Sequence, residues 1–401
     1  MNTPKLRFDG FSEEWVSRTL EEYAHVQTGP FGSQLHESDY VSEGTPIITV
    51  EHFGDNYIIH SNLPLVSDED VKRLKKYTLS EGDIVFSRVG SVDRRVYVTK
   101  REDGWLFSGR CLRLSTTSKK VDSKFLSFYL GTTKCLNEIR SKAVGGTMPS
   151  LNTAILNSIG ISIPSIEEQK KISDFLTLLD KKIQKQQEKV ELLKQQKKGL
   201  MQRIFSQELR FKDESGQEYP EWASQTMNDV ISTYSGGTPS VKNREYYKGT
   251  IPFIRSGEIY KDTTELYVNE SALQYSSAKL VRKGDLLYAL YGATSGEVSI
   301  SKIDGAINQA ILCIRTSEVR EFLLYFFENS KDRILSTYLQ GGQGNLSAQI
   351  IKSINIEIPC KLEQLAISNF LDSISVKITQ EDKKLSLLIK QKQAFMQQMF
   401  I

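Results

Sequence analysis

Cysteine is scarce in this chain: Cys111, Cys135, Cys313 and Cys360 are all it has in 401 residues. None of them forms a Cys-x-x-Cys pair, which argues against a zinc site or a redox couple and leaves inert thiols in a reducing cytosol. Histidine is equally sparse. His25, His36, His52 and His60 all fall in the first half, without the helical spacing of metal ligands, so no metal is expected. No apolar run approaches the ~18 residues that a membrane span needs. The opening Met1-Asn2-Thr3-Pro4-Lys5-Leu6-Arg7-Phe8 lacks the apolar core of a signal peptide, so the expected location is the cytoplasm. A large excess of either charge is missing too: 52 basic against 49 acidic residues give a formal net charge of +3. That balance is too mild to hold nucleic acid by charge alone, so a partner would have to supply part of any such grip.

Catalytic signatures are also missing. There is no Gly-x-x-x-x-Gly-Lys-Ser/Thr phosphate loop, and Gly342-Gln343-Gly344 does not continue as a dinucleotide fingerprint. No Asn-Pro-Pro-Tyr or Asp-Pro-Pro-Tyr run is present, so no amino-methylating site is visible. Asp70-Val71-Lys72 and Asp122-Ser123-Lys124 fit a nuclease only loosely, since such groupings are usually surface charge. No catalytic residue is assigned. The hydrophobic fraction of 39% and charged fraction of 25% suit a folded globular chain. The length suggests two or three domains.

What is present is a repeat. Ile163-Pro164 is followed by Glu168-Gln169, Ile172, Phe175-Leu176 and Lys182-Ile183. Ile358-Pro359, Glu363-Gln364, Ile367, Phe370-Leu371 and Lys377-Ile378 match them at a constant offset of 195. The register continues through Met201-Gln202 with Met396-Gln397 and Phe205 with Phe400. Weaker echoes lie upstream: Leu6-Arg7-Phe8 and Glu14-Trp15 with Leu209-Arg210-Phe211 and Glu221-Trp222, and Gly82-Asp83 with Gly284-Asp285. Two halves of one design are implied, close in their last ~40 residues and divergent before.

The repeated segments carry an unbroken heptad seam. In the first it is Ile172, Leu176, Leu179, Ile183, Gln186, Val190, Leu193, Lys197, Leu200 and Ile204. In the second it is Ile367, Leu371, Ile374, Ile378, Glu381, Leu385, Leu388, Lys392, Phe395 and Met399. Roughly 40 residues at ~1.5 Å each predict helices ~60 Å long. Such a seam must be buried. The favoured partner is the twin helix in an antiparallel pair; packing on the helix's own domain or between chains is the alternative. Segment 166–205 has ten basic against six acidic residues, a solvated face or a surface for phosphates or a partner. If helix two ends near Leu6-Arg7-Phe8, as helix one runs into Leu209-Arg210-Phe211, the chain nearly closes on itself.

The segments between read as α+β with curled mixed sheets. Strands are expected at 46–50, 83–86, 96–98, 161–163, 252–254, 285–288 and 356–358, and helices at 124–139 and 319–338. Three loops recur in both halves. The first holds Thr28, Gly29, Phe31, Gly32, Ser33 and Gln34, opposite Ser235, Gly236, Gly237 and Thr238. The second holds Arg88, Gly90, Ser91, Arg94 and Arg95, opposite Tyr291, Gly292 and Ser295. The third holds Thr147, Met148, Ser150 and Asn152, opposite Gln343, Asn345 and Ser347. Arg255 joins this set. Glycines let a backbone approach closely, amides and hydroxyls reach phosphates, and arginine pairs with guanine in a major groove. Taken singly each loop reads first as an ordinary turn; recurrence in two diverged halves argues for shared binding.

Two variable segments, each followed by a near-identical helix opening Ile-Pro…Glu-Gln…Ile…Phe-Leu, resemble the specificity subunit of type I restriction-modification systems. Residues 4–8 with Glu14-Trp15, the stretch 145–152 and Ile163-Pro164-Ser165-Ile166-Glu167-Glu168-Gln169 carry the likeness, which covers essentially the whole chain. It implies target recognition domains at 1–164 and 207–359, spacer helices at 165–206 and 360–401, and a pseudo-two-fold, near-circular chain. It implies a non-catalytic reader of a split, asymmetric site in double-stranded DNA, with the helix pair setting the spacing. The implied partners are two modification subunits, which bind S-adenosylmethionine and methylate adenine, and ATP- and magnesium-dependent restriction subunits. The second half departs from the stretch 145–152, which leaves its individual contacts open. A coiled-coil scaffold without DNA specificity is the competing reading.

Overall fold

The computed structural model describes residues 3–30, 34–146, 148–338 and 345–401. Two compact units emerge, one of residues 1–187 with 383–401, the other of residues 188–382. Each therefore combines a globular head with part of each long helix.

The first head is built on a four-stranded antiparallel sheet in the order Ala24–Thr28, Cys111–Thr116, Ile84–Ser87, Arg95–Tyr97. A three-stranded sheet lies beside it, in which Thr45–Ile48 runs parallel to Leu106–Phe107. Val16–Thr19 pairs with Gly160–Ile163 at the junction with the first long helix. The second head repeats the plan. Its main sheet is Ile231–Ser235, Ile311–Thr316, Leu286–Ala289 and Val298–Ile300, and Ala223–Thr226 closes on Asn355–Ile358. Its other sheet gains a fourth strand, Lys279–Val281. The expected strands all form, with ends shifted by a residue or two.

The helix expected over 124–139 is two helices, Ser123–Tyr129 and Thr133–Lys142. Gly131 and Thr132 cause the break. Thr132 caps the second helix by accepting the Cys135 amide, and its hydroxyl donates to the Tyr129 carbonyl. The space where a side chain would stand at Gly131 is filled by the Arg95 guanidinium, 1.7 Å from an ideal Cβ. No such break interrupts the second head, where Arg320–Tyr338 is continuous.

The long helices are Ile166–Phe205 and Lys361–Met399. All twenty seam residues are buried or half-buried, as apolar area at ~25 cal/mol per Å² demands. Within the first unit the Phe175 and Phe395 rings meet edge to face at 5.0 Å, and Asp180 pairs with Lys392 at 2.7 Å. Within the second, Lys189 pairs with Glu381 at 2.6 Å, while Met201 and Ile204 share a core with Ile367 and Leu371. In each unit one helix number rises as the other falls, so the helices run antiparallel. The end of the second helix reaches the chain's start, where the Leu6 amide donates to the Gln398 carbonyl at 2.9 Å.

The two seam lysines face their heads. Lys197 pairs with Glu328 at 2.7 Å and stands 4.7 Å over the Tyr325 ring. Lys392 pairs with Asp180 and, at 3.1 Å, with Asp55.

The repeated Glu-Gln dipeptides join head to helix. Glu168 takes a two-pronged bond from Arg7, and Glu363 takes one from Arg210 plus the Trp222 indole N–H. Gln169 accepts the Asp122 amide and donates to the Pro164 carbonyl; Gln364 does the same with Val319 and Pro359. All four side chains are fully buried, so their hydrogen bonds are obligatory.

Candidate nucleic-acid interface

The recurring loops sit at the ends of the main-sheet strands, where backbone bonds fix them to one another. In the first head the Arg88 amide donates to the Arg110 carbonyl, and the Leu151 amide to the Arg88 carbonyl. Gly90 N–H donates to Pro149, Val89 bridges Ser150, and Gly29 N–H donates to Cys111. The three loops are thus stitched around the turn 108–111. In the second head Leu290 N–H donates to Ala310 and Leu346 N–H to Leu290, while Gly237 N–H donates to Ile307. The bonds of Leu290 repeat those of Arg88 around the turn 308–311, while the Gly237 amide meets the residue before that turn where Gly29 meets the one that closes its own.

Glycine is required at specific points. A Cβ at Gly29 would lie 2.1 Å from the Ser108 carbonyl oxygen, and one at Gly236 would lie 1.8 Å from that of Ile307. Gly90 and Gly292 occupy matching places with φ of +80° and +88°, a conformation that disfavours any side chain.

The side chains sort into three groups. Some are open: Met148 is 67% exposed, and Ser91, Gly292 and Asn345 are exposed. Arg88, half-buried, also reaches the Gly109 carbonyl at 3.4 Å. Thr28, Ser235 and Tyr291 are half-buried at strand ends or in the loops. A second group works on local structure. Asn152 and Ser347, at matching positions, cap short helices by accepting the amides of Ile155 and Ile350. Ser150 donates to Val144, Ser295 to Leu290, Thr238 to Gln309, and Gln34 accepts from Tyr77 at 2.8 Å.

The third group consists of arginines held by the protein. Arg94 donates to the Phe53 carbonyl. Arg255 is forked between Glu258 and Glu265, whose hydrogen bonds push its pKa up. Arg95 is buried, with Nε on the Ser127 carbonyl at 2.6 Å. None of these three presents a free fork at the loop surface. Phe31, Gly32, Ser33, Thr147 and Gln343 lie outside the described residues.

Two residues that the sequence did not single out stand on the central turns. Arg110 and Gln309 are exposed. The signal that could have found them is position: each lies between a short strand paired in parallel in the smaller sheet and the long inner strand of the main sheet, one or two residues before the latter.

The loosely nuclease-like groupings have structural roles. Asp70 is held by Arg73 and Ser67, which keep its carboxyl below the usual range, and Asp122 caps the helix Ser123–Tyr129. No group of three or more potential metal ligands occurs among the described residues. No helix among them is long and apolar enough to cross a membrane.

Two heads of one α+β plan, each with a stitched loop cluster and each set against the long helices, define a tandem-repeat architecture. The sequence profile described as "Type I restriction modification DNA specificity domain" matches residues 12–195 and 219–390, and the chain belongs to that family. Among curated relatives, the "Putative type I restriction enzyme MjaX specificity subunit" of Methanocaldococcus jannaschii is 26% identical, over 96% of this chain and 92% of its own. The MjaVIII specificity subunit of the same organism is 23% identical, over 94% and 92%. The fold matches the crystal structure of a type I restriction-modification S subunit from M. genitalium, with a TM-score of 0.63 at 15% identity, covering 100% of this chain and 99% of that one. A chain from a structure on complex assembly and conformational transition of the type I system matches with a TM-score of 0.56 at 16% identity, covering 96% and 97%. The family assignment favours DNA specificity over a bare coiled-coil scaffold.

Proposed function

We propose that each head reads one half of a split, asymmetric DNA site through its loop cluster, and that the long helices set the gap between the halves. The observation that carries this reading is the same stitched cluster in both heads, with divergent side chains on a shared backbone scheme. A fixed scaffold with variable tips is what two different half-sites require. Arg88, Arg110, Met148, Gln309 and Asn345 are the tips best placed to touch DNA. The chain supplies the address. Adenine methylation, with S-adenosylmethionine, belongs to two modification subunits, and ATP- and magnesium-dependent cleavage to restriction subunits.

Leu192 and Leu387 are the docking residues we assign to the modification subunits. They stand 195 residues apart, one in each unit, and each is 55% exposed. What supports the assignment is that the two leucines are equivalent in the repeat, so the same contact is offered twice, once to each copy of one partner.

The test is a map of methylated adenines in cells with the modification subunits and either this chain or a chimera exchanging residues 207–359. A two-part motif of which only one half changes supports the reading. An unchanged motif, or changes in both halves, refutes it.

A further inference from the structure

The first unit contains a cavity of about 860 Å³ between the head and the helix pair, large enough for a drug-sized molecule. Arg95 lies at its wall and is 8% exposed. Its Nε is bonded to the Ser127 carbonyl. Neither terminal nitrogen has a hydrogen bond or ion pair among the described residues, although Arg95 is buried to a degree at which a guanidinium normally requires partners. The nearby acids are already engaged: Asp55 and Asp180 both pair with Lys392. Gly131 leaves the room into which the guanidinium extends. The aromatic residues Tyr97 and Phe128 also line the space. The site is single. In the second head Val298 stands opposite Tyr288 as Arg95 stands opposite Phe86, and the cavity between head and helices in the second unit holds about 490 Å³.

We propose that this cavity binds one small ligand that joins an oxyanion, phosphate or carboxylate, to a flat apolar body, with the free edge of Arg95 gripping the oxyanion. A planar fork suits both groups, because it can meet two oxygens at once. Lys392, neutralised by Asp55 and Asp180, does not compete for the fork, and Lys124 and Lys181 in the same lining add positive charge. Tyr97 and Phe128 bury the flat part. This site is separate from the loop clusters and does not depend on their reading DNA.

The full chain is titrated with acetate, inorganic phosphate, benzoate and phenyl phosphate at constant ionic strength, with chloride as control, by calorimetry and thermal unfolding. One equivalent of benzoate or phenyl phosphate binds at least tenfold more tightly than its bare anion and raises Tm. The comparison of phosphate with carboxylate identifies the preferred head group. Arg95→Met abolishes binding, and Arg95→Lys weakens it because the fork is lost. Gly131→Ala, which takes the guanidinium's place, also abolishes it. If none of the four anions binds more tightly than chloride, or if Arg95→Met and Arg95→Lys bind like the original chain, the site does not exist. Should Arg95→Met fail to fold, the wild-type titration and Arg95→Lys decide.

Discussion

Arg7 meets Glu168 through two hydrogen bonds, at 2.8 and 2.7 Å, with the carboxylate 1% exposed. Arg210 and Glu363 repeat the fork in the other unit, at 3.2 and 2.8 Å with the carboxylate fully buried. The Leu-Arg-Phe segments and the Glu-Gln dipeptides are distant in sequence, yet they are two sides of one joint. Each joint ties the stretch leading into a head to the start of the helix that leaves it. This is why both elements survive in halves whose loops have diverged.

Removing one side of the joint should be costly. Arg210→Ala leaves the buried Glu363 carboxylate held by the Trp222 indole N–H without its cation, and an uncompensated buried charge costs about 3–5 kcal/mol. Urea unfolding followed by far-ultraviolet circular dichroism should show a clear loss in midpoint. The double variant Arg210→Met, Glu363→Leu should recover most of it, because the desolvation penalty then disappears. A single variant as stable as the parent would remove the joint from the account.

The heptad seams, the antiparallel pairing and the repeat were legible because apolar periodicity survives without knowledge of tertiary contacts. The loop stitching was not, since it runs through main-chain groups: Arg88 to Arg110 and Leu290 to Ala310 share a bond but no side chain. Arg95 was misplaced for a related reason. It follows Arg94 and resembles a loop arginine, but it opens a strand paired with Ile84–Ser87, and that pairing turns it inward. Lys197 and Lys392 were legible as interruptions of the seam, whereas their acidic partners on the heads were not.

The thiols should separate by reactivity. Burial pushes Cys111 and Cys135 up to about 12 and Cys313 to about 11, while Cys360 is partly exposed. At pH 8 a disulfide reagent should modify Cys360 first and the other three only on unfolding. The raised values also bear on alkaline stability. The folded state holds these protons while an unfolded thiol, near 9, releases them. Their contribution is therefore full below pH 9 and lost as pH rises towards 11–12. Cys111→Ala should flatten that decline; rapid labelling of all four thiols in the native chain would contradict the burial.

On the loop clusters, Arg110→Ala should lower DNA affinity and reduce the salt slope of binding by about one if the side chain meets a phosphate. If it meets a base edge, the loss is about 1–3 kcal/mol and confined to one position of one half-site. Arg255→Ala should change DNA affinity little, because that guanidinium is already shared by Glu258 and Glu265. Gel shifts in complex with the modification subunits, over a salt series, distinguish these outcomes. Equal effects of both substitutions would count against the assignment of the turn.

The spacer reading makes a metrical demand. Deleting residues 187–193 and 378–384 takes one heptad from each long helix while preserving the seam, and shortens each by about 10 Å. At ~3.4 Å per base pair this is roughly three pairs, and a shift of three pairs also rotates one half-site by about a quarter turn or more around the duplex. The altered complex should therefore methylate a motif with a gap about three pairs shorter, or lose binding if its heads cannot follow the rotation. Leu192 is removed by the deletion, so modification-subunit binding must be measured alongside, with Leu192→Asp in the full-length chain as its control. A complex that keeps full activity on the original gap would show that the distance between half-sites is set elsewhere.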